Sequence, residues 1–279
     1  MPVDRNSPAS ERRPPVFRRL RRAYPEARIA LDHSNPLECV VATVLSAQST
    51  DVRVNLVTKS LFAKYRRPED YLETPEDELK ADIQSTGFFN QKARSLRGLA
   101  QKLIVDFDGE VPRTIKELIT LPGVARKTAN VVQSSCWPDM VDKDPDAGIA
   151  VDTHVGRLAV RLGLSSARPK DAGRIEEDLM ELVPRRDWPA TTLLLIEHGR
   201  AICDAKRPLC ENCVIEPLCP SSQEAGLADL YRVPKPATRS KGSTNKAPAT
   251  KTPGTETASE GDLARAPFRS NRRKIGPQG

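Results

Sequence analysis

The most specific segment of the chain reads TIKELITLPGVARKTANVVQSSC and spans residues 114–136. Its pattern predicts a short helix, a tight turn at residues 121–124 and a second helix that begins near Ala125. Glycine in such a turn, here Gly123, lets backbone N–H groups approach an anion at the start of the second helix. A DNA phosphate is an anion that can be bound there without reading the base. A plain turn between two packed helices has the same pattern, so the function of the turn depends on its neighbours.

Lys127 falls in the first turn of that second helix. The amine of an ordinary lysine is protonated at neutral pH and is not a nucleophile. The positive end of the helix dipole and partial removal from water both favour the neutral amine. The position therefore suits a lysine that attacks a sugar carbon and forms a Schiff base. A phosphate-binding lysine beside Arg126 is the alternative.

A second candidate group lies downstream in the sequence VDTH, residues 151–154. Asp152 stands where a helix begins, and aspartate is a good N-cap residue. A carboxylate at that point could also face a reacting sugar, where it would stabilise positive charge or move a proton. Both interpretations stay open at the level of sequence.

Four of the six cysteines lie within seventeen residues, whereas Cys39 and Cys136 stand alone. The cluster has the spacing Cys203-x6-Cys210-x2-Cys213-x5-Cys219. Because the sequence has no export signal, we do not expect these cysteines to form disulfides, and the cluster indicates metal ligation. Four thiolates can bind zinc or a [4Fe–4S] cluster. The asymmetric spacing on one loop favours iron–sulfur and leaves zinc open. Lys206 and Arg207 lie inside this loop and are candidate phosphate contacts; ordinary solvated charges are the alternative.

The net charge of +7 comes from the two ends of the 279-residue chain. Residues 1–22 contribute +5 and residues 232–279 contribute +8, which leaves the middle at −6. We expect a disordered basic arm at residues 1–14 and a disordered basic tail at 222–279, because such polar, proline-rich segments bury too little apolar area. A basic arm can raise DNA affinity without reading sequence. No apolar run approaches the ~18 residues of a membrane span, and the N-terminus lacks the apolar core of a signal peptide, so we expect a cytoplasmic protein.

The middle of the chain has apolar residues at helical spacing, interrupted by frequent stop signals. Asn35-Pro36 and Thr74-Pro75 each predict a helix start, and Asp108-Gly109 predicts a helix end. Nothing alternates at period two. The sequence therefore predicts an all-α fold of eight to ten short helices.

In five motifs, the chain resembles the endonuclease III family, whose members are helix-hairpin-helix DNA glycosylases with lyase activity. They are LSAQSTD (45–51), TGFFNQKA (86–93), LPGVARKTAN (121–130), VDTH (151–154) and the four-cysteine loop. The resemblance implies a two-lobed fold with a DNA cleft between the lobes. A six-helix barrel containing the hairpin would occupy residues 29–139. An iron–sulfur lobe would combine residues 15–28 with 140–220.

The resemblance also implies roles for individual residues. Lys127 would be the Schiff-base nucleophile and Asp152 the catalytic carboxylate, while Cys203, Cys210, Cys213 and Cys219 would ligate [4Fe–4S]. Gln48 and Phe88 match residues that enter the duplex and fill the gap left by a flipped nucleotide. A buried core phenylalanine is the alternative for position 88.

Two departures from the family pattern stand out. Ala125 occupies the place of a second hairpin glycine. The alanine adds a methyl group near the expected phosphate contact, which Gly123, Ala125 and Arg126 would form. The segment between Lys127 and Asp152 is longer than the family pattern, and its acidic composition at 138–149 suggests an exposed loop insertion.

The function implied is base-excision repair by a bifunctional glycosylase that removes oxidised pyrimidines and cleaves the abasic site by β-elimination. Its partner would be duplex DNA that contains a damaged pyrimidine or an abasic site. We expect a monomer in the cytoplasm, associated with the nucleoid if prokaryotic. The alternatives are a monofunctional glycosylase of the adenine-mismatch type, which Lys127 argues against, and a non-catalytic DNA-binding protein with a structural metal.

Overall fold

The computed structural model describes residues 2–222 and contains only helices and loops in that part of the chain, which confirms the all-α prediction. The α-helices are α1 (Ala9–Ala23), α2 (Pro36–Leu45), α3 (Asp51–Lys64), α4 (Asp70–Glu73), α5 (Glu76–Ile83), α6 (Phe89–Phe107), α7 (Ile115–Leu118), α8 (Arg126–Cys136), α9 (Thr153–Arg161), α10 (Ala172–Leu182) and α11 (Trp188–Ala201). Short 3-10 helices occupy Gln84–Thr86, Pro138–Met140, Arg185–Asp187, Cys210–Asn212 and Glu216–Leu218.

The helix boundaries follow local signals in the sequence. Asn35 caps α2, since its side chain accepts a hydrogen bond from the Glu38 N–H at 3.0 Å, and Pro36 takes the first helical position. Helix α6 ends at Phe107, and the C-cap residue Asp108 that follows has φ 57°. Helix α5 begins after Pro75 as predicted, but no side chain caps it.

The helices pack mainly in two sets. Helices α2 to α8 contact one another through pairs such as α2 with α8 and α5 with α6, whereas α1, α9, α10 and α11 contact one another around α11. Helix α6 buries the stripe that the sequence predicts, which consists of Ala93, Leu96, Leu99, Ala100 and Leu103. This arrangement matches the two-lobed architecture, and the exact lobe boundaries stay a prediction.

The sequence predicted an exposed loop insertion at 138–149, and that prediction was wrong for the part of the segment that is buried. Val141, Asp144, Ala147 and Ile149 are all buried. The Asp144 carboxylate accepts hydrogen bonds from the Ile115 N–H at 2.7 Å and from the Gln133 side chain at 2.6 Å. Burial alone would raise the pKa of Asp144, but these hydrogen bonds hold it below its usual range. The insertion is therefore part of the packing around α7 and α8.

We expect Asp144→Asn to lower the thermal unfolding midpoint. Both of these bonds end on Oδ2, and the Asp146 N–H donates to Oδ1 at 3.0 Å. An amide has only one accepting oxygen, so at least one of the three donors loses its partner, which costs about 1–3 kcal/mol for a buried group. Asp142→Asn is the matched control, because Asp142 is exposed in the same loop. Unfolding followed by circular dichroism checks the prediction, and equal midpoints for the two variants would contradict it.

The predicted disordered arm at 1–14 differs from the structure, in which α1 begins at Ala9. Arg12 is buried, and its guanidinium donates to the Leu162 carbonyl at 2.5 Å and to the Ser7 carbonyl at 2.8 Å. The bond to Leu162 joins α1 to a residue 150 positions away, a contact that the polar, proline-rich sequence of this segment did not predict.

The predicted tail at 222–279 lies outside the described residues, except for Ser222. That residue is buried and accepts a hydrogen bond from Arg5 at 3.0 Å. Between residues 2 and 222, no helix is both long and apolar enough to cross a bilayer.

Candidate active site and cysteine loop

A cleft of about 570 Å³ contains both predicted catalytic residues. Its walls come from the loop at 27–31, the end of α2, one face of α8, the segment at 150–152 and one face of α11. Lys127, Asp152 and Gln48 all line it. The fold therefore brings a lysine amine and a carboxylate, 25 positions apart in the sequence, to one open site.

Lys127 lies in the first turn of α8, as the sequence predicts. The cap of α8 is Ala125, whose backbone is extended at φ −89°. The Lys127 side chain is exposed, so the protein alone does not supply the partial removal from water that we expected. Only a substrate seated in the cleft would exclude water from this amine.

Asp152 is the N-cap of α9, and its Oδ1 accepts the Val155 N–H at 2.8 Å. Among the described residues, no hydrogen bond to Oδ2 is formed. The capping interpretation is therefore right, and it uses only one oxygen of a carboxylate that also lines the cleft. The two interpretations of Asp152 are compatible.

Two side chains fix the segment that carries Asp152 relative to α8 and α11. Asn130, on α8, accepts the Gly148 N–H through Oδ1 at 3.1 Å and donates to Glu176 through Nδ2 at 3.1 Å. Thr192, on α11, donates to the Ala150 carbonyl at 3.1 Å. Because Asn130 lies one helical turn beyond Lys127, these bonds set the position of the carboxylate relative to the amine.

The hairpin turn needs glycine at one position and tolerates alanine at the other. Gly123 has φ 84°, and a Cβ placed there would lie 3.0 Å from Ser95 Cβ and 3.4 Å from Val44. Ala125 has an ordinary extended backbone. The missing second glycine therefore does not strain this hairpin.

We expect Gly123→Ala to lower the thermal midpoint and to weaken DNA binding, because the methyl group must displace Ser95 and the turn has a left-handed backbone. Gly109→Ala is the matched control, since Gly109 has φ 81° and a Cβ there meets nothing within 4 Å. Both variants bear the left-handed strain of roughly 1–2 kcal/mol. Thermal melts and a titration of duplex DNA check the difference, and identical losses would mean that the contact with Ser95 is unimportant.

Gln48 and Phe88 both have left-handed backbones, at φ 55° and 49°, which is uncommon for residues other than glycine. Gln48 is exposed at the cleft, and Phe88 is 60% exposed. The core interpretation of Phe88 is therefore wrong. Backbone strain and an exposed aromatic ring indicate a functional position.

A buried lysine joins the turns that carry these two residues. The Lys92 ammonium donates to the Leu45 carbonyl at 2.8 Å and to the Thr86 carbonyl at 2.8 Å. Leu45 ends α2 just before Gln48, and Thr86 lies just before Phe88. Burial lowers the pKa of Lys92. Sequence analysis missed Lys92, because only the fold shows that two distant carbonyls converge on one amine.

The three predicted DNA contacts with basic side chains all lie outside the cleft wall. Arg126 forms an ion pair with Glu176 at 3.1 Å and keeps about half of its side chain exposed (49%). Lys206 and Arg207 are exposed, and their backbone N–H groups donate to the Asp204 carboxylate at 2.8 and 2.9 Å. The Asp204 turn therefore presents both basic side chains to solvent.

The four clustered cysteines line one small apolar cavity of about 30 Å³. Arg161, from α9, donates to Cys203 Sγ at 3.2 Å and to the carbonyls of Asp204 and Ala205 at 2.7 and 2.8 Å. Cys213 Sγ lies 3.4 Å from His198 Nε2. Sequence analysis missed Arg161 and His198, since both come from helices outside the loop.

The geometry of the thiols bears on which group they could hold. Zinc bonds of ≈ 2.3 Å in a tetrahedron place its sulfur ligands roughly 4 Å apart. Among the described residues, the one group of three or more ligand atoms within 4.8 Å of one another lies elsewhere, at His33, Cys39 and Cys136. No three of the four clustered sulfur atoms therefore lie within 4.8 Å of one another. That arrangement fits a cluster better than a single zinc ion.

Comparison with known proteins identifies relatives along most of the described chain. The family described as HhH-GPD superfamily base excision DNA repair protein matches residues 41–185. Endonuclease III of Synechocystis sp. is 48% identical over 204 residues, which cover 73% of this chain and 90% of the relative. Endonuclease III of Bacillus subtilis is 48% identical over 210 residues, which cover 75% of this chain and 92% of the relative.

Solved structures give the same result. A non-covalent endonuclease III–DNA complex superimposes with a TM-score of 0.70 at 41% identity and covers 78% of this chain and 98% of the solved chain. A trapped endonuclease III–DNA covalent intermediate gives the same values. A thermostable thymine-DNA glycosylase superimposes with a TM-score of 0.67 at 25% identity, over 77% of this chain and 98% of that one.

Proposed function

The chain belongs to the endonuclease III family of the HhH-GPD superfamily, and from this premise we propose that it removes damaged pyrimidines from duplex DNA through Lys127 and Asp152. It is a base-excision repair DNA glycosylase that also cleaves abasic sites. The observation that supports the two residues is their position in one cleft open to solvent.

In the proposed reaction, the Lys127 amine attacks C1′ of the flipped nucleotide. The N–C1′ bond forms, the glycosidic bond breaks, and the base leaves with a proton. The sugar ring opens to a protonated Schiff base, which withdraws electrons from C2′. A C2′ proton is then lost, the C3′–O bond breaks, and the 3′ phosphate leaves. Hydrolysis of the Schiff base frees the lysine.

Asp152 would stabilise the positive charge that develops on the sugar and would accept a proton from the Lys127 ammonium. Its Oδ1 is held by the Val155 N–H, which fixes the carboxylate at the edge of the cleft. The exposed position of Lys127 fits this division of roles, because the amine needs a partner to take its proton when substrate closes over it.

Gln48 and Phe88 would fill the space that the flipped nucleotide leaves. Their turns share Lys92, so both side chains are presented from one rigid element. An exposed aromatic ring can stack on a neighbouring base and offset part of the lost stacking, which is worth about 1–3 kcal/mol per base.

We expect Phe88→Ala to slow excision of a paired lesion by about 10- to 100-fold, because that stacking energy is lost. The thermal midpoint should not change, since the ring is 60% exposed. Phe62→Ala is a contrasting variant, because Phe62 packs against the core and its loss should lower the midpoint. Single-turnover excision and thermal melts on both variants check the prediction. A stable Phe88→Ala protein with full excision would contradict it.

We propose that Cys203, Cys210, Cys213 and Cys219 ligate a [4Fe–4S] cluster. The cavity that they line and the guanidinium that donates to Cys203 Sγ support a group with several thiolate ligands. The cluster would crosslink this loop and hold Lys206 and Arg207 outward, where their charges can meet DNA phosphates. Iron and acid-labile sulfide in the purified protein test the assignment, and zinc alone would overturn it.

The partner that fits this cleft is duplex DNA with a damaged pyrimidine or an abasic site. We propose that the protein acts as a monomer. We place the protein in the cytoplasm, where bacterial DNA lies.

A strand-cleavage assay tests the function as a whole. A duplex with one thymine glycol should lose the damaged base and be cut at that position, and borohydride should trap the chain on the DNA. A monofunctional glycosylase would release the base and leave the strand intact. A binding protein would do neither. Either of the last two results would overturn the proposal.

A further inference from the structure

Two cysteines that stand alone in the sequence meet in the fold. Cys39 lies on α2 and Cys136 ends α8, and these two helices pack against each other. The Cys39 and Cys136 sulfur atoms lie within 4.8 Å of each other. A ring nitrogen of His33, from the loop before α2, joins them, and the three ligand atoms all lie within 4.8 Å of one another.

The hydrogen bond of His33 fixes the tautomer that metal-binding imidazoles usually have. His33 Nδ1 lies 2.8 Å from the Leu31 carbonyl oxygen. Because a carbonyl can only accept, Nδ1 carries the proton and Nε2 keeps the lone pair that a metal needs. A ligating histidine almost always donates its other N–H to such a partner. This hydrogen bond is a second observation, independent of the cysteines, that points to a ligand.

We propose that His33, Cys39 and Cys136 bind one zinc ion at a site separate from the four-cysteine loop. Two thiolates and one imidazole form a donor set that suits zinc. Zinc bonds of ≈ 2.3 Å to sulfur and ≈ 2.0 Å to nitrogen require donor atoms about 3.5–4 Å apart. The three ligand atoms here all lie within 4.8 Å of one another, so small side-chain rotations would bring them to that distance. A water molecule would complete the tetrahedron.

The position of the site gives it a structural role. Leu31, Thr43 and Ser135 line the cleft, and each is a close sequence neighbour of one ligand or lies one turn away from it. The ion would therefore sit behind the cleft wall and join the loop before α2, α2 itself and the C-terminal end of α8. Lys127 lies nine residues toward the other end of α8, about 13 Å away. The ion would hold the helix that carries the amine and would take no part in the reaction.

The experiment uses the full chain with its iron content already measured. The protein is incubated with zinc and desalted, its metals are counted by mass spectrometry, and the zinc is examined by X-ray absorption at the zinc edge, which does not detect iron. We expect one zinc per chain in addition to the iron, with two sulfur and one nitrogen neighbours. A zinc-loaded protein should also have a higher thermal midpoint than the same protein after treatment with a chelator.

The variants are restricted to ligands outside the innermost core, because Cys39 is fully buried. His33→Gln and Cys136→Ser should each lose at least nine-tenths of the bound zinc and the shift in midpoint, while circular dichroism shows a folded protein. Asp32→Asn is the matched control next to His33 and should keep both.

Four results would overturn the proposal. They are no zinc beyond trace amounts, zinc with four sulfur neighbours (which would place it in the four-cysteine loop), zinc that persists in both ligand variants, and a Cys39–Cys136 disulfide in place of metal binding. Peptide mapping under non-reducing conditions detects the last of these.

Discussion

Lys127→Ala should abolish the borohydride-trapped adduct and lower the rate of strand cleavage by on the order of 10³-fold or more, since removal of a covalent nucleophile eliminates its reaction path. Alanine keeps the first turn of α8 helical, and the Lys127 side chain is exposed, so the fold should not change. Binding to a duplex with an uncleavable abasic analogue should weaken only a few-fold, because the variant loses one positive charge that can interact with DNA phosphates. Gel analysis of the trapped complex and a binding titration measure the two effects separately.

Lys116→Ala is the matched control for this variant. Lys116 is exposed on α7, in the same hairpin, and it does not line the cleft. The Lys116→Ala variant loses the same charge and should keep trapping and cleavage near the level of the unmodified protein. Trapping that survives in Lys127→Ala would assign the nucleophile to another amine. Equal loss of DNA binding and of cleavage would favour the phosphate-binding interpretation of Lys127.

Asp152→Asn should slow turnover by about 10²- to 10⁴-fold, the usual size of a proton-transfer contribution. Asparagine caps a helix about as well as aspartate. The bond from the Val155 N–H can therefore persist, and the thermal midpoint should fall little. Single-turnover rates, the midpoint and the affinity for DNA together separate the catalytic role from the capping role.

The chain offers a close control in Asp171, which caps α10 by accepting the Arg174 N–H at 3.3 Å and does not line the cleft. Asp171→Asn makes the same chemical change at a helix cap and should leave the rate unchanged. If Asp152→Asn instead unfolds the protein, or reacts at the full rate, Asp152 acts as a cap alone.

Local signals in the sequence predicted the features that depend on neighbouring residues. Asn35 and Asp152 cap their helices because a short polar side chain bonds an N–H group three residues on. Gly123 forms the turn because its left-handed backbone favours a residue without a side chain. Each of these features is decided within a few residues, so each could be recognised from the chain alone.

Features that depend on distant partners were not predictable in this way. The Arg12 guanidinium is buried because the Leu162 carbonyl accepts from it, and Asp144 is buried because α7 and α8 supply its donors. In the sequence, both residues look like ordinary surface charges. Arg126 looks like a phosphate contact, yet Glu176 pairs with it across fifty residues. Sequence patterns contain no information about which carbonyl or carboxylate a long side chain will reach.

The candidate site divides in the same way. The chemical types at Lys127, Asp152 and the four cysteines identified the family, and the fold then placed the amine and the carboxylate in one cleft. The exposure of Phe88 and the meeting of His33 with Cys39 and Cys136 are consequences of helix packing. They could be seen only once α2, α6 and α8 had been placed.

The Lys92 ammonium has a mechanical consequence for damage search. One buried cation ties the residues before Gln48 to those before Phe88, which restrains the two turns relative to each other. If these two side chains enter the duplex as proposed, the protein would not adapt to the DNA, and the duplex would have to bend and open to fit it. Base pairs that a lesion has already weakened deform at lower cost, so a rigid pair of turns would favour damaged DNA before any chemistry begins.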